Sequence, residues 1–390
     1  MNVTPLALHS TRAVGQALRR HGWDDASAET AGNSLHTLAF HLTGMDQDAL
    51  EALVPFAGSL GLEVLTGDDW AILSGSRSRL SALARPWTVP QSLAAVAEKI
   101  GQAMPGEPMS VWRTARGSMS LDRPVIVGIL NVTPDSFSDG GQFVAVDAAL
   151  AHTYTLLRDG ATVIDVGGES TRPGRTADVP ADEEQRRVVP IIEALRREHP
   201  SLVISIDTVK AATAQAAIDA GADVVNDISG FRLDSRMASV VAQAGAGAIL
   251  MHSRGSILEV ASYAHTDYPD VVGCVIEELR QSLGKATAAG IAPDRIIIDP
   301  GFGFSKTVEQ NVVLFDQLEA LGSLDRPILV GPSRKRFLGS VTGLPLEQRD
   351  QATAVACVLA YERGARLFRV HDVAAARDAL SFAFAVGSAS

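Results

Sequence analysis

The chain has 390 residues, 46% of them hydrophobic, and a formal net charge of −11 at pH 7. That balance excludes a general nucleic-acid binder, which presents a basic face, but it leaves room for an anionic small molecule in a local basic pocket. Its two cysteines, Cys274 and Cys357, lie in apolar helix-like stretches and make no metal-ligand spacing, so they read as buried free thiols. With no evident signal peptide and no apolar run near the roughly 18 residues of a membrane span, the expectation is a cytoplasmic protein without membrane or nucleic-acid partners.

Residues 1–104 open with a short apolar run at Leu35–Leu42, then a helix-like Asp46–Leu60. Runs at Leu62–Leu65 and Trp70–Leu73 flank the turn signal Gly67-Asp68-Asp69, and helical patterns follow at Arg77–Ala84 and Gln91–Met104. This reads as a small α+β domain. Its four histidines, His9, His21, His36 and His41, share no ligand-like spacing, so it offers no chemistry. Residues 105–124 read as a linker (Pro105-Gly106-Glu107-Pro108) and a hairpin around Gly117 that would close the lower end of the larger domain beyond it.

From residue 125 to 390, apolar runs alternate with amphipathic helices. The predicted strands are Val125–Val132, Thr162–Gly167, Leu202–Asp207, Asp223–Ile228, Gly247–His252, Arg295–Asp299, Arg326–Gly331 and Leu367–His371. Helical patterns such as Lys210–Ala220, Val271–Ala289 and Arg349–Arg363 lie between them, and Gly221 and Gly245 suit helix ends. Near-continuous Val/Ile runs separated by helices indicate a parallel sheet covered by helices. About eight such units favour closure into a (β/α)8 TIM barrel. The predicted fold is therefore α/β, a TIM barrel with an additional small N-terminal α+β domain.

Polar residues end nearly every predicted strand. In order they are Asn131; Asp165, ahead of a Gly-rich stretch through Glu169, Thr171, Arg172 and Pro173; Asp207; Asn226-Asp227; Met251-His252; Asp299; Ser333-Arg334-Lys335; and Arg369 with His371. Their convergence on one barrel mouth marks a site. Asp165, Asp207, Asn226 and Asp299 supply acceptors and an amide for a flat heterocycle rich in N–H donors, with Lys335 as a fixed cation. Arg172, Arg369 and His371 suit an anion, and Asn131 beside a phosphate suits Mg²⁺. Gly301–Thr307 ends like a phosphate loop but lacks the Gly before Lys306, so Lys306 reads as a helix-start residue. Gly331-Pro332-Ser333 is not a nucleophile elbow, which excludes a covalent serine mechanism.

The segments GILNVTPDSFSDGG, IDVGGESTRPG, ISIDT, VNDISG, LMH, IIDPGFGFSKT, GPSRKRFLG and RVHDV, in that order, resemble the dihydropteroate synthases of the pterin-binding enzyme family. The resemblance implies condensation of 6-hydroxymethyl-7,8-dihydropterin diphosphate with p-aminobenzoate, giving 7,8-dihydropteroate and diphosphate with Mg²⁺, in a cytoplasmic homodimer. Carried over, Asp165, Asp207, Asn226, Asp299 and Lys335 would hold the pterin, with Arg334 over its face. Asn131, Arg369 and His371 would hold diphosphate, with Asn131 on the Mg²⁺. Phe137, Thr171, Arg172, Pro173 and Ser333 would shape the p-aminobenzoate pocket. Asp135, Asp165, Arg172 and Lys335 would stand nearest the chemistry. Ser305, the segment Ser253–Ser256 and the N-terminal domain depart from the family pattern. The alternatives are a pterin-binding methyltransferase of the same fold and a catalytically silent pterin-binding paralogue.

Overall fold

The computed structural model describes residues 18, 22, 24–106, 109–132, 142–170 and 178–388. The chain divides into two compact units, one of residues 1–105 with 388–390 and one of residues 106–387.

In the first unit, helix α1 (Asp25–Leu35) precedes strand β1 (Thr37–Thr43) and helix α2 (Gln47–Ser59). Strands β2 (Glu63–Thr66) and β3 (Trp70–Ser76) and helices α3 (Arg77–Leu83) and α4 (Ala94–Ala103) come next. The Asp46 carboxylate caps α2 by accepting from the Ala49 N–H at 2.7 Å, which satisfies one of the donors every helix start leaves open. The strands form an antiparallel sheet in the order β1-β3-β2. Leu50, Leu53, Leu73, Leu80, Leu93 and Ile100 fill the core beneath it. The helix expected over Gln91–Met104 begins with a 3₁₀ turn at Gln91–Leu93 and becomes α-helical only at Ala94.

The second unit begins with a hairpin of β4 (Val111–Arg113) and β5 (Ser118–Ser120). Eight parallel strands succeed it: β6 (Val125–Asn131), β7 (Val163–Gly167), β8 (Val203–Asp207), β9 (Val224–Asp227), β10 (Gly247–Met251), β11 (Ile296–Asp299), β12 (Ile328–Val330) and β13 (Ala365–Val370). They close into a barrel in which each pairs with its sequence neighbours and β13 pairs with β6. Each lies within two residues of its predicted bounds. The last begins at Ala365 instead of Leu367, since Ala365 already pairs with Ile328 ahead of an irregularity between Ile328 and Leu329. Gly221 (φ +120°) and Gly245 (φ +59°) end the helices Ala211–Ala220 and Met237–Ala244 in backbone conformations that side chains disfavour. Helices surround the strands, packing Val188, Ile192, Leu279, Leu314 and Leu380 against them.

The hairpin lies across the amino ends of the strands. Trp112 is fully buried among Val127, Val163, Val224, Ile249, Ile297, Leu329 and Leu367. Its indole N–H donates to the Arg295 carbonyl at 3.0 Å. Arg116 donates to the Gly221 and Ala222 carbonyls and to Asp223 at 2.9–3.0 Å. Both cysteines are free, but Cys274 is only half-buried, against the expectation. Among the described residues no helix is long and apolar enough to cross a membrane.

Trp112→Ala opens a cavity at the closed end of the barrel, and the expected destabilisation is about 3–5 kcal/mol. Urea unfolding followed by far-UV circular dichroism measures it, and an unshifted midpoint would show that the hairpin does not brace the barrel.

Candidate active site

The carboxyl ends of the strands carry the polar residues singled out in the sequence. A pocket there is lined by Asp207, Asn226, Asp299, Lys335 and Arg369, with Ile228, Met251, Phe302, Phe304 and Gly331. Asp207 ends β8, Asn226 stands one residue before the end of β9, and Asp299 ends β11. The apolar wall was not assigned from sequence. Met251 ends β10, and the signal for Phe302 and Phe304 was their place directly after Asp299.

Arg369 on β13 organises the floor. Its Nε donates to Asp165 Oδ2 at 2.6 Å and its Nη2 to Asp207 Oδ2 at 2.8 Å. Asn226 Nδ2 donates to the same Asp165 oxygen at 3.0 Å. Asp165 is fully buried beneath the pocket and does not line it. Its Oδ1 has no hydrogen-bond partner among the described residues. Asp227, next to Asn226, turns away from the pocket. Its carboxylate accepts from the Ser229 N–H and hydroxyl, both at 2.7 Å, and from the Phe231 N–H at 3.1 Å, so it orders the loop instead.

Lys335 precedes the helix Arg336–Thr342, and Arg334 before it adopts φ +56°. That left-handed turn is held by a bidentate pair from the Arg334 guanidinium to Asp350 at 2.7 and 2.8 Å and by its N–H to Thr353 Oγ1 at 3.1 Å. Arg334 is therefore committed to Asp350 and does not line the pocket. Lys335 does, with its Nζ 3.6 Å from the centroid of the Phe304 ring. Ser333 and His371 form a separate pair. The Ser333 hydroxyl lies 2.9 Å from His371 Nδ1 and accepts from the His371 N–H at 3.1 Å. Asn131, at the end of β6, stands beside Gly167, the last residue of β7. A Cβ on Gly167 would lie 3.6 Å from Asn131 Oδ1 and 3.7 Å from Asp207 Cβ, so both side chains border the space that glycine leaves. Asp135, Phe137, Thr171, Arg172 and Pro173 lie outside the described residues.

Burial dominates the ionisation of this cluster. It pushes the Asp207 carboxyl up to about 7, against the pull of Arg369 and with help from Asp165. It pushes Asp299 up to about 6, against the Gly301 N–H that donates to it at 2.7 Å. It draws Lys335 down to about 7, helped by Arg369 and opposed by Asp299 and Asp207. A barrel mouth with acceptors, one adjustable amine and aromatic walls suits a flat, polar heterocycle.

The comparisons with known proteins agree on the class. The model of the family described as pterin binding enzyme matches residues 127–371. The chain is 42% identical over 252 residues to the dihydropteroate synthase of Bacillus subtilis, covering 65% of this chain and 85% of the relative. The structure of Xanthomonas albilineans dihydropteroate synthase with 4-aminobenzoic acid superposes with a TM-score of 0.65 at 45% identity, covering 70% of this chain and 96% of that one. The same enzyme in complex with 7,8-dihydropteroate gives a TM-score of 0.62 at 42% identity, covering 70% and 97%. The chain belongs to the pterin-binding enzyme family and, within it, to the dihydropteroate synthases.

Asp299 yields a pH-dependent test. Below about pH 4 its carboxyl is protonated folded or unfolded, and it costs nothing. Between about pH 4 and about 6 the unfolded group ionises while the folded one resists, so stability falls as pH rises and the cost then stays constant. Asp299→Asn should leave ligand-free stability unchanged near pH 4 and raise it at pH 8 by about 1–3 kcal/mol. Urea unfolding at both pH values measures this, and a variant less stable at pH 8 would contradict it.

Proposed function

We propose that this chain joins 6-hydroxymethyl-7,8-dihydropterin diphosphate to p-aminobenzoate, releasing diphosphate and forming 7,8-dihydropteroate. The observation that carries the reading is the pocket in which Asp207, Asn226 and Asp299 face Lys335 between apolar and aromatic walls. Carboxylates and an amide oxygen accept from the ring N–H and amino groups of a pterin, while Lys335 donates to ring oxygen or nitrogen. The buried Asp165 holds Arg369 and Asn226 in place.

The carbon bearing diphosphate adjoins an electron-rich ring, so loss of diphosphate leaves a cation the pterin shares. The residues then have two tasks: neutralising the departing anion and stabilising that cation. Asn131, Arg369 and His371 receive the diphosphate. Among the described residues no three His, Cys, Asp or Glu are grouped to hold a metal. An Mg²⁺ there fits a site with Asn131 as its protein oxygen and phosphate and water as the rest, because Mg²⁺ keeps several waters and needs few protein ligands. Bound, it would supply countercharge to the leaving group. Asp135 and Asp165 stand against the ring cation, and p-aminobenzoate attacks as a neutral amine, which needs no strong base. Phe137, Thr171, Arg172, Pro173 and Ser333 would form its pocket, whereas Arg334, paired with Asp350, stays outside the pterin site.

Three further readings belong with this one. The exposed apolar pairs Val355/Leu359 and Phe382/Val386, each one helical turn apart, support a homodimer through the last barrel helices. The compact unit of residues 1–105 supports an independent α+β domain. The chain works in the cytoplasm.

Purified full-length protein, given pterin diphosphate and p-aminobenzoate, should form dihydropteroate with Mg²⁺ and lose that activity with chelator. Pterin binding without product would replace the reading with a silent pterin binder. Asp207→Ala should weaken pterin binding by about 1–3 kcal/mol, since it strands donors in a buried site. Calorimetry with the free pterin measures it, and unchanged affinity would remove Asp207 from the site.

A further inference from the structure

One wall of the pocket is built by the loop after β11, where the Gly301 N–H donates to Asp299 and the Gly303 N–H to Asn311, both at 2.7 Å. After Asp299, alternate residues Gly301 (φ +70°), Gly303 (φ +77°) and Ser305 (φ +47°) take left-handed backbone conformations. Ser305 is the one with a side chain to strain. The glycines are required by close approaches. A Cβ on Gly301 would run into the His252 carbonyl oxygen, and one on Gly303 would lie 2.9 Å from Lys335 Cδ. This loop carries Phe302 and Phe304 into the pocket.

Lys306 closes the loop from within. Its side chain is only 2% exposed, and its Nζ meets His252 Nδ1 at 2.9 Å, the Phe304 carbonyl at 3.1 Å and the Gly301 carbonyl at 3.2 Å. Three acceptors match the three donors of an ammonium group, which offsets part of the burial that draws Lys306 down to about 7. His252 is neutral, because burial draws it down to about 4, so Nδ1 accepts from Lys306 while Nε2 donates to Glu278 at 3.0 Å. Ser305 makes a second tie to the segment after β10. Its hydroxyl donates to the Arg254 carbonyl at 2.9 Å and accepts from the Arg254 N–H at 3.0 Å. Its N–H donates to the Val260 carbonyl at 2.8 Å. Arg254 is itself held by Glu278 and lies 3.7 Å over the Tyr268 ring.

We infer that Lys306, aided by Ser305, is a positioning residue for the pterin subsite: by gathering Gly301, Phe304 and His252 around its amine it locks the β11 loop to the β10 loop and sets the Phe304 ring under Lys335. The inference rests on reading this pocket as the pterin subsite. Neither side chain touches the ligand space, so the effect passes through Phe302, Phe304 and Lys335.

The test is Lys306→Met in the full-length chain, compared with wild type for binding of 6-hydroxymethylpterin and for the KM of each substrate. Met keeps an unbranched apolar stem, one atom shorter, and removes every donor, leaving buried acceptors unpaired. Pterin affinity should fall about tenfold or more while the p-aminobenzoate KM, at saturating pterin, stays within about twofold. Equal loss for both substrates, or unchanged pterin affinity, overturns the inference. Should Lys306→Met fail to fold, Ser305→Gly decides. It accepts φ +47° without strain and deletes only the hydroxyl tie, so a severalfold loss of pterin affinity is expected and wild-type affinity would overturn the inference. If wild type itself does not bind pterin, the reading of the pocket fails instead.

Discussion

Arg369 lies between Asp165 and Asp207, and the geometry of the pocket depends on that shared guanidinium. Its strand, β13, pairs with β6, so its side chain reaches past one strand to Asp165 on β7 and past two to Asp207 on β8. Gly167 stands beside Asp207 in the register and contributes no side chain, which leaves that space to Asp207 and Asn131. A buried ion pair is weak evidence for stability, because desolvation offsets much of the attraction. The worth of this one is positional. It neutralises two carboxylates enough for a barrel interior to hold them, and it aims a third polar group, Asn226, through the same Asp165 oxygen.

The two ends of the barrel use charge for different purposes. At the amino end, Asp223 is satisfied by Arg116, by Arg196 and by the Ile204 N–H at 2.9 Å, and the Arg295 guanidinium donates to the Thr114 and Gly245 carbonyls. Those groups join strand starts to the hairpin over Trp112. At the carboxyl end the charged groups surround a pocket. The division accords with the general arrangement of (β/α)8 proteins, where one face carries stability and the other carries chemistry.

The barrel was legible because each strand is an apolar run bounded by turn residues and each helix has its own period. Closed parallel sheets bury both faces of every strand, so the signal is strong. The convergence of polar strand ends was legible for the same reason. What escaped was which of two adjacent polar residues faces inward. Asn226 enters the pocket and Asp227 orders a loop, although a one-residue shift of β9 would exchange them. Arg334 and Lys335 separate in the same way, through a left-handed turn at a non-glycine residue that propensity does not favour. Arg369 looked like an anion ligand alone, whereas its guanidinium is the partner of two carboxylates. Lys306 looked like a helix-start residue. The cap is Thr307, whose hydroxyl accepts from the Gln310 N–H at 3.2 Å, and the Lys306 amine turns inward. No periodicity in the sequence reports an amine that serves as the internal support of a loop.

The pocket thus has settled geometry and unsettled protonation. Burial holds Asp207 up at about 7 and Asp299 at about 6, and draws Lys335 down to about 7. Near neutral pH several charge states of the ligand-free site therefore lie close in energy. A ligand that presents N–H donors to the carboxylates and an acceptor to Lys335 favours the state with both acids ionised and the amine charged. Part of its binding energy goes into reaching that state. Arg369 remains protonated throughout. Among the described lining residues Arg369 is the permanent cation that anchors the site, and the adjustable acids and amine around it respond to the substrate.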